Sequence, residues 1–154
     1  MRSSILVELR SHLESRGVAI EPLLADVGLD VAVYARPDID PLSMVPLDAI
    51  TSLFDHAASL LEDPCFGLRV AKTMKLPGIS LLAQLSARAA TVRDALKCAA
   101  GFANIFVTRI EAGFTERNGV GRIYWRPSLG MGAPVHFNAF MAAALIYRVR
   151  RAAG

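Results

Sequence analysis

The chain has 154 residues, of which 53% are hydrophobic and 20% charged. That apolar content can offset the entropy of ordering, so intrinsic disorder is excluded and one ordinary domain is expected. Its formal charge of +3 is scattered apart from Arg148, Arg150 and Arg151, and a nucleic-acid footprint would be denser.

Met1-Arg2-Ser3-Ser4-Ile5 runs directly into Glu8, Arg10 and Glu14. It offers no apolar core of a secretory signal, which makes a cytoplasmic protein the expectation. Ile5, Leu9 and Leu13 recur at steps of four, which predicts a helix over about 4–16 ended by Gly17. Glu21 to Val27 reads as a second, shorter helix with Pro22 in its first turn and Gly28 at its end. The Pro- and Asp-rich stretch from Arg36 to Pro46 reads as a loop.

Leu47, Ile50, Phe54, Ala57, Ala58 and Leu61 form one stripe, so a core helix is expected over 46–61, with Asp48 near its positive end. Asp63-Pro64 pairs a good N-cap with the residue best tolerated at the first helical position, and the helix it opens should carry Phe66, Leu68 and Val70 until Pro77-Gly78. Cys65 and Cys98 have no close-spaced partner and read as buried thiols rather than a disulfide. Ile79 to about Ala87 is apolar and predicted helical. Thr91 with Asp94 resembles a capping box. It opens a long helix whose face carries Val92, Ala95, Leu96, Ala99, Phe102, Ala103 and Phe106, weakened locally at Gly101.

The period then changes to that of a strand. Asn118-Gly119 is the dipeptide favoured by a two-residue type I′ hairpin, because both central residues take positive φ. The turn sets Arg117 opposite Val120, Thr115 opposite Arg122, Phe114 opposite Ile123, Gly113 opposite Tyr124, Ala112 opposite Trp125 and Glu111 opposite Arg126. One face then carries Ala112, Phe114, Ile123 and Trp125. The other holds Glu111, Thr115, Arg117, Arg122, Arg126, Val120 and Tyr124. A hairpin alone is marginal in water, so a third strand or a covering helix is required. A last helix is predicted from about Val135 through Arg151. Mean hydropathy is +0.39, but a membrane span needs roughly 20 consecutive apolar residues. The charge-free stretch between Arg126 and Arg148 is broken by Gly130, Gly132, Pro134, His136 and Asn138, so no membrane partner is expected. The fold class is therefore α+β, mostly helical, with several helices packed on a small antiparallel sheet.

His12, His56 and His136 lie far apart with no ligand at metal spacing, so no metal and no cofactor are expected. The Gly119/Gly121 and Gly130/Gly132 pairs lack the rest of a dinucleotide fingerprint, and neither a nucleophile elbow nor a phosphate loop is present. Asp38/Asp40 and Glu62/Asp63 fit turn and capping chemistry better than acid–base work. A non-enzyme is the expectation, since Arg109, Tyr124 and His136 form no defined catalytic constellation. The candidate ligand-binding residues are Phe102, Phe106, Arg109, Phe114, Tyr124, Trp125 and His136. The aromatics would meet where the long helix covers the sheet, and the polar groups would orient a small molecule. Ordinary core packing is the competing account of the same aromatics.

The succession of motifs from Val18 to Arg151 resembles the N-terminal domain of the arabinose-binding-domain branch of AraC-type transcriptional regulators. The carrying residues are Leu23-Leu24 with Gly28-Leu29, the Pro37 to Pro46 loop followed by Leu47 and Ile50, and above all Asp63-Pro64-Cys65-Phe66-Gly67-Leu68-Arg69-Val70-Ala71. Gly78, Leu81-Leu82, Thr91-Val92-Arg93-Asp94-Ala95-Leu96 and the closing helix through Ile146, Arg148 and Gly154 follow in order. The resemblance implies a single regulatory domain over 1–154 that senses a small-molecule effector and self-associates, as a homodimer. It further implies DNA binding only through a separate C-terminal domain with two helix-turn-helix motifs, which these residues do not form; the sensing domain itself is expected to be cut at its C-terminal edge. A purely structural dimerisation domain without a ligand is the alternative. The apolar final helix, Phe137 to Tyr147, is expected either to contact a partner subunit or a following segment or, equally, to pack as ordinary core of the domain.

Overall fold

The computed structural model describes residues 1–74, 88–108, 110–127 and 134–152. The chain divides into two compact units, one of Met1–Lys75 with Ala133–Ala144, the other of Leu76–Gly132 with Leu145–Gly154. The predicted helix over 79–87, the Pro77-Gly78 stop and Arg109 lie outside the described residues.

The first unit is helical. It comprises α1 (Ser4–Glu14), α2 (Glu21–Asp26), α3 (Val31–Tyr34), α4 (Leu47–Leu60), α5 (Phe66–Thr73) and the start of α8 (Val135–Ala152). The expected stripes are buried: Ile5, Leu9 and Leu13 of α1, and Leu47, Ile50, Phe54, Ala57 and Ala58 of α4. Phe54 sits among three rings, with centroids 5.8 Å from Phe66, 5.7 Å from Phe137 and 5.1 Å from Phe140. Edge-on packing against Phe66 and Phe137, with Phe140 tilted, adds to area burial, so this cluster is the centre of the unit. Phe137, Phe140, Ala143 and Ala144 of α8 are buried, so the first half of the final helix is core, the second of the two readings its apolar sequence left open, rather than a free contact surface. Ile146, further along, is exposed.

The 36–46 loop is irregular, as predicted, and the N-terminus pins it. The Met1 ammonium donates to the Val45 carbonyl at 2.8 Å, Arg2 bridges to Met44, and Ser3 Oγ donates to the Asp40 carbonyl at 2.6 Å. α3 was not legible in the sequence. It is a single turn capped by Asp30, whose carboxylate accepts the Ala32 N–H at 2.8 Å.

The Asp63-Pro64 signal is correct in kind and shifted in place. α5 starts at Phe66, because Asp63 Oδ1 accepts the Cys65 N–H at 2.9 Å and closes a turn ahead of the helix. Asp63 is only 5% exposed, and its Oδ2 lies 3.0 Å from Arg69 Nε, six residues on and in the first turn of α5. This leaves Cys65 exposed and Cys98 half-buried, which corrects the reading of both as buried thiols; the turn before α5 lies at the surface. Leu68 is exposed as well, while Phe66 and Val70 are fully buried.

His12 of α1 packs against α5 and is 5% exposed. Its ring meets Phe66 edge-on at 5.5 Å, Nδ1 lies 3.2 Å from Thr73 Oγ1, and among the described residues Nε2 has no hydrogen-bond partner. Burial, aided by Arg16 and Arg69 and opposed by Asp63, pushes its pKa below the ordinary 6.5. The unfolded chain therefore binds the proton more readily than the folded one. The stability held by neutral His12 is complete above pH 6.5 and declines as pH falls from there toward the lower folded value. Urea midpoints should drop between about pH 7.5 and pH 5, and His12→Gln should flatten that slope; an equal slope in the variant would contradict the assignment.

In the second unit, α6 (Val92–Gly101) begins at Thr91 as expected. The Thr91 hydroxyl accepts the Asp94 N–H at 3.1 Å and lies 2.6 Å from its carboxylate. The long helix does not continue to Phe106. It breaks at Phe102 and resumes as the single turn α7 (Ala103–Phe106), directly after Gly101, the residue least suited to a helix interior here. The buried stripe of α6 is Ala95, Ala99 and Ala100, whereas Val92 and Phe102 are exposed.

β1 (Ile110–Arg117) and β2 (Val120–Pro127) form an antiparallel pair in the register set by the Asn118-Gly119 turn, with Phe114 opposite Ile123 and Ala112 opposite Trp125. Asn118 and Gly119 have φ of 52° and 76°, the left-handed values a type I′ turn demands. No third strand joins them among the described residues; α6 packs on both strands instead.

Candidate functional site

The ribbon divides its side chains as the period of two requires. Ala112, Phe114 and Glu116 share a face with Gly121, Ile123 and Trp125. The Arg93 guanidinium on α6 pairs with Glu116 at 2.7 Å, which ties the helix to that face. Phe114, Ile123 and Trp125 are half-buried there, and the Phe114 ring lies over Gly121, where a Cβ would come within 3.1 Å of it. On the opposite face the Tyr124 ring covers Gly113, leaving no room for a side chain, and the Arg126 guanidinium stands 5.1 Å from the Tyr124 ring centroid.

The candidate residues are thus only partly brought together. Phe114 and Trp125 share the α6-facing side, and Tyr124 lies on the other. Phe102 is 46% exposed at the break between α6 and α7. Phe106 ends α7, its side chain outside the described set, as is Arg109. His136, on α8, belongs to the first unit, where its backbone carbonyl abuts Gly67. The paired aromatic face was legible because hairpin register follows from a dipeptide; the helix break was not, because one glycine decides it.

A groove of about 200 Å³ that no local sequence signal announces lies in the first unit, between α1 and the 34–39 segment. Leu6, Val7 and Arg10 form one wall, Tyr34, Pro37 and Ile39 the other. At its rim Arg36 pairs with Asp38 at 2.7 Å, and its hydrogen bonds hold the Asp38 carboxyl below the ordinary range. The space is smaller than the roughly 300–1,000 Å³ of typical ligand pockets. Among the described residues, no group of three His, Cys, Asp or Glu could hold a metal ion, and no helix is long and apolar enough to cross a membrane.

A helical first unit, together with a second in which α6 packs on an antiparallel hairpin, makes the chain mostly helical α+β. Residues 17–154 match the family model described as the arabinose-binding domain of AraC transcription regulators, N-terminal, and the chain belongs to that family. Curated proteins yield no match. Family membership makes it a regulatory, ligand-sensing domain of a transcription regulator, which is not an enzyme class. α1 ends at Glu14 and precedes the matched residues.

Proposed function

We propose that the chain senses a small-molecule effector and self-associates, and that it thereby modulates DNA binding by a separate C-terminal helix-turn-helix domain of the regulator. The observation that carries this reading is the family match over residues 17–154. The proposed contact surface is the half-buried face of Phe114 and Trp125, approached from α7, which packs on β1. Partial burial supports this choice, since a ring sealed in core offers a ligand nothing, whereas an incompletely covered one gains from being covered.

An effector shifts the regulator only by binding one arrangement more tightly than another. Self-association as a homodimer is supported by the exposed Val92, Phe102 and Ile105 of α6 and α7, apolar side chains that a second copy would cover. Thermal-shift screening of the chain against amino acids, fatty acids and other small metabolites should yield a ligand that raises the melting temperature by several degrees at saturating concentration. No response across such a panel would count against sensing and leave the ligand-free dimerisation domain as the better account.

A further inference from the structure

The hairpin register gathers charge that the linear sequence scatters. Arg117, Arg122 and Arg126 share the ribbon face turned away from the Arg93–Glu116 pair. All three are exposed, and among the described residues none forms an ion pair. Glu111 is the one acid on that face, opposite Arg126, so the face carries two net positive charges.

Spacing adds to charge. Arg122 and Arg126 are four residues apart on one strand, about 13 Å. Arg117 sits diagonal to Arg122, roughly 7–8 Å away. Arg126 is held against the Tyr124 ring, and that ring against Gly113, so the end of the row is pre-arranged. Guanidinium groups with unpaired donors fit phosphate oxygens, and the major groove of duplex DNA, about 12 Å wide, admits a two-stranded ribbon. A membrane surface fits less well, because docking there needs several exposed large apolar side chains, and this face offers Val120 and one half-buried tyrosine.

We propose that this arginine face of the hairpin is a duplex-DNA contact surface whose three guanidinium groups meet backbone phosphates. The regulator reading supplies only the reason for DNA to be near; the contact itself is a property of this chain and can fail or hold independently of effector sensing. Phosphate contacts position a protein without reading sequence, so a mixed-sequence duplex is the right probe.

Fluorescence anisotropy of the chain with a labelled mixed-sequence duplex should show weak binding, with a Kd of roughly 10⁻⁴ to 10⁻⁶ M and an association constant that falls with salt along a log–log slope of about −3 for three neutralised phosphates. Arg117→Gln/Arg122→Gln/Arg126→Gln should weaken binding at least about tenfold and flatten the slope toward zero, with an unchanged circular dichroism spectrum. Arg16→Gln/Lys72→Gln/Lys97→Gln, which removes equal charge from exposed helix and turn positions, should retain the slope. Should the first variant not fold, Glu111→Gln alone tests the same face, because removing its one acid should tighten binding. Equal loss in both triple variants, no binding at about 50 mM salt, no gain in Glu111→Gln, or binding to phosphatidylserine vesicles in place of the duplex would each overturn the proposal.

Discussion

Phe54→Ala should destabilise the protein by about 3–5 kcal/mol, the range for deleting a fully buried ring. Phe54 has no exposed surface and, among the described residues, is the ring that meets Phe66, Phe137 and Phe140 together. Its removal opens a cavity among three aromatics drawn from α5 and α8, and backbone-anchored rings close over such a space only in part. For a chain of this length the melting temperature should fall by roughly 10 °C or more. Phe54→Leu, which keeps most of the volume, should cost less than half as much. A loss under about 1 kcal/mol for alanine would show that α4 is not the hub of the first unit.

Gly67→Ala should be nearly as damaging, for the opposite reason. A Cβ at Gly67 would overlap the His136 carbonyl oxygen and stand 2.9 Å from its carbon and 3.0 Å from the Phe140 nitrogen. These obstacles are backbone, which cannot rotate away, so α5 and α8 must move apart and the rings between them must repack. A cost of about 3 kcal/mol, at the upper end for overpacking, is expected by urea denaturation. Gly101→Ala supplies the contrast, since nothing lies within 4 Å of its added Cβ. There alanine should be neutral or stabilising by up to about 1 kcal/mol. Stabilisation at both positions would mean that the close approach of α5 and α8 does not exist in solution.

Gly67 also shows what a sequence can and cannot tell. The Asp63-Pro64-x-Phe66-Gly67-Leu68 run is recognisable as a motif, and Asp63 and Phe66 have local explanations in a turn and a core ring. The reason for the glycine lies in a helix about 70 residues later, and no window around it contains that information. The hairpin is the converse case: Asn118-Gly119 and the period of two are both local, and together they set every cross-strand pair. The stripes of α1 and α4 were legible for the same reason. Cys65 was misjudged because residue type suggests burial while a turn closed by Asp63 holds it at the surface. Of the candidate site, the aromatic face of Phe114, Ile123 and Trp125 follows from register alone. The same register puts Arg117, Arg122 and Arg126 together on the opposite side, whereas the α1 groove required two segments that only tertiary packing brings together.

The proposed effector covers the face formed by Phe114 and Trp125. Trp125 is the single tryptophan of the chain, so its emission reports on that face without labelling. Titration with a metabolite that stabilises the protein should shift or quench Trp125 fluorescence saturably, at the same concentrations that raise the melting temperature, and Phe114→Ala should weaken both responses together. Thermal stabilisation with emission unchanged at saturation would place the effector elsewhere and contradict the account.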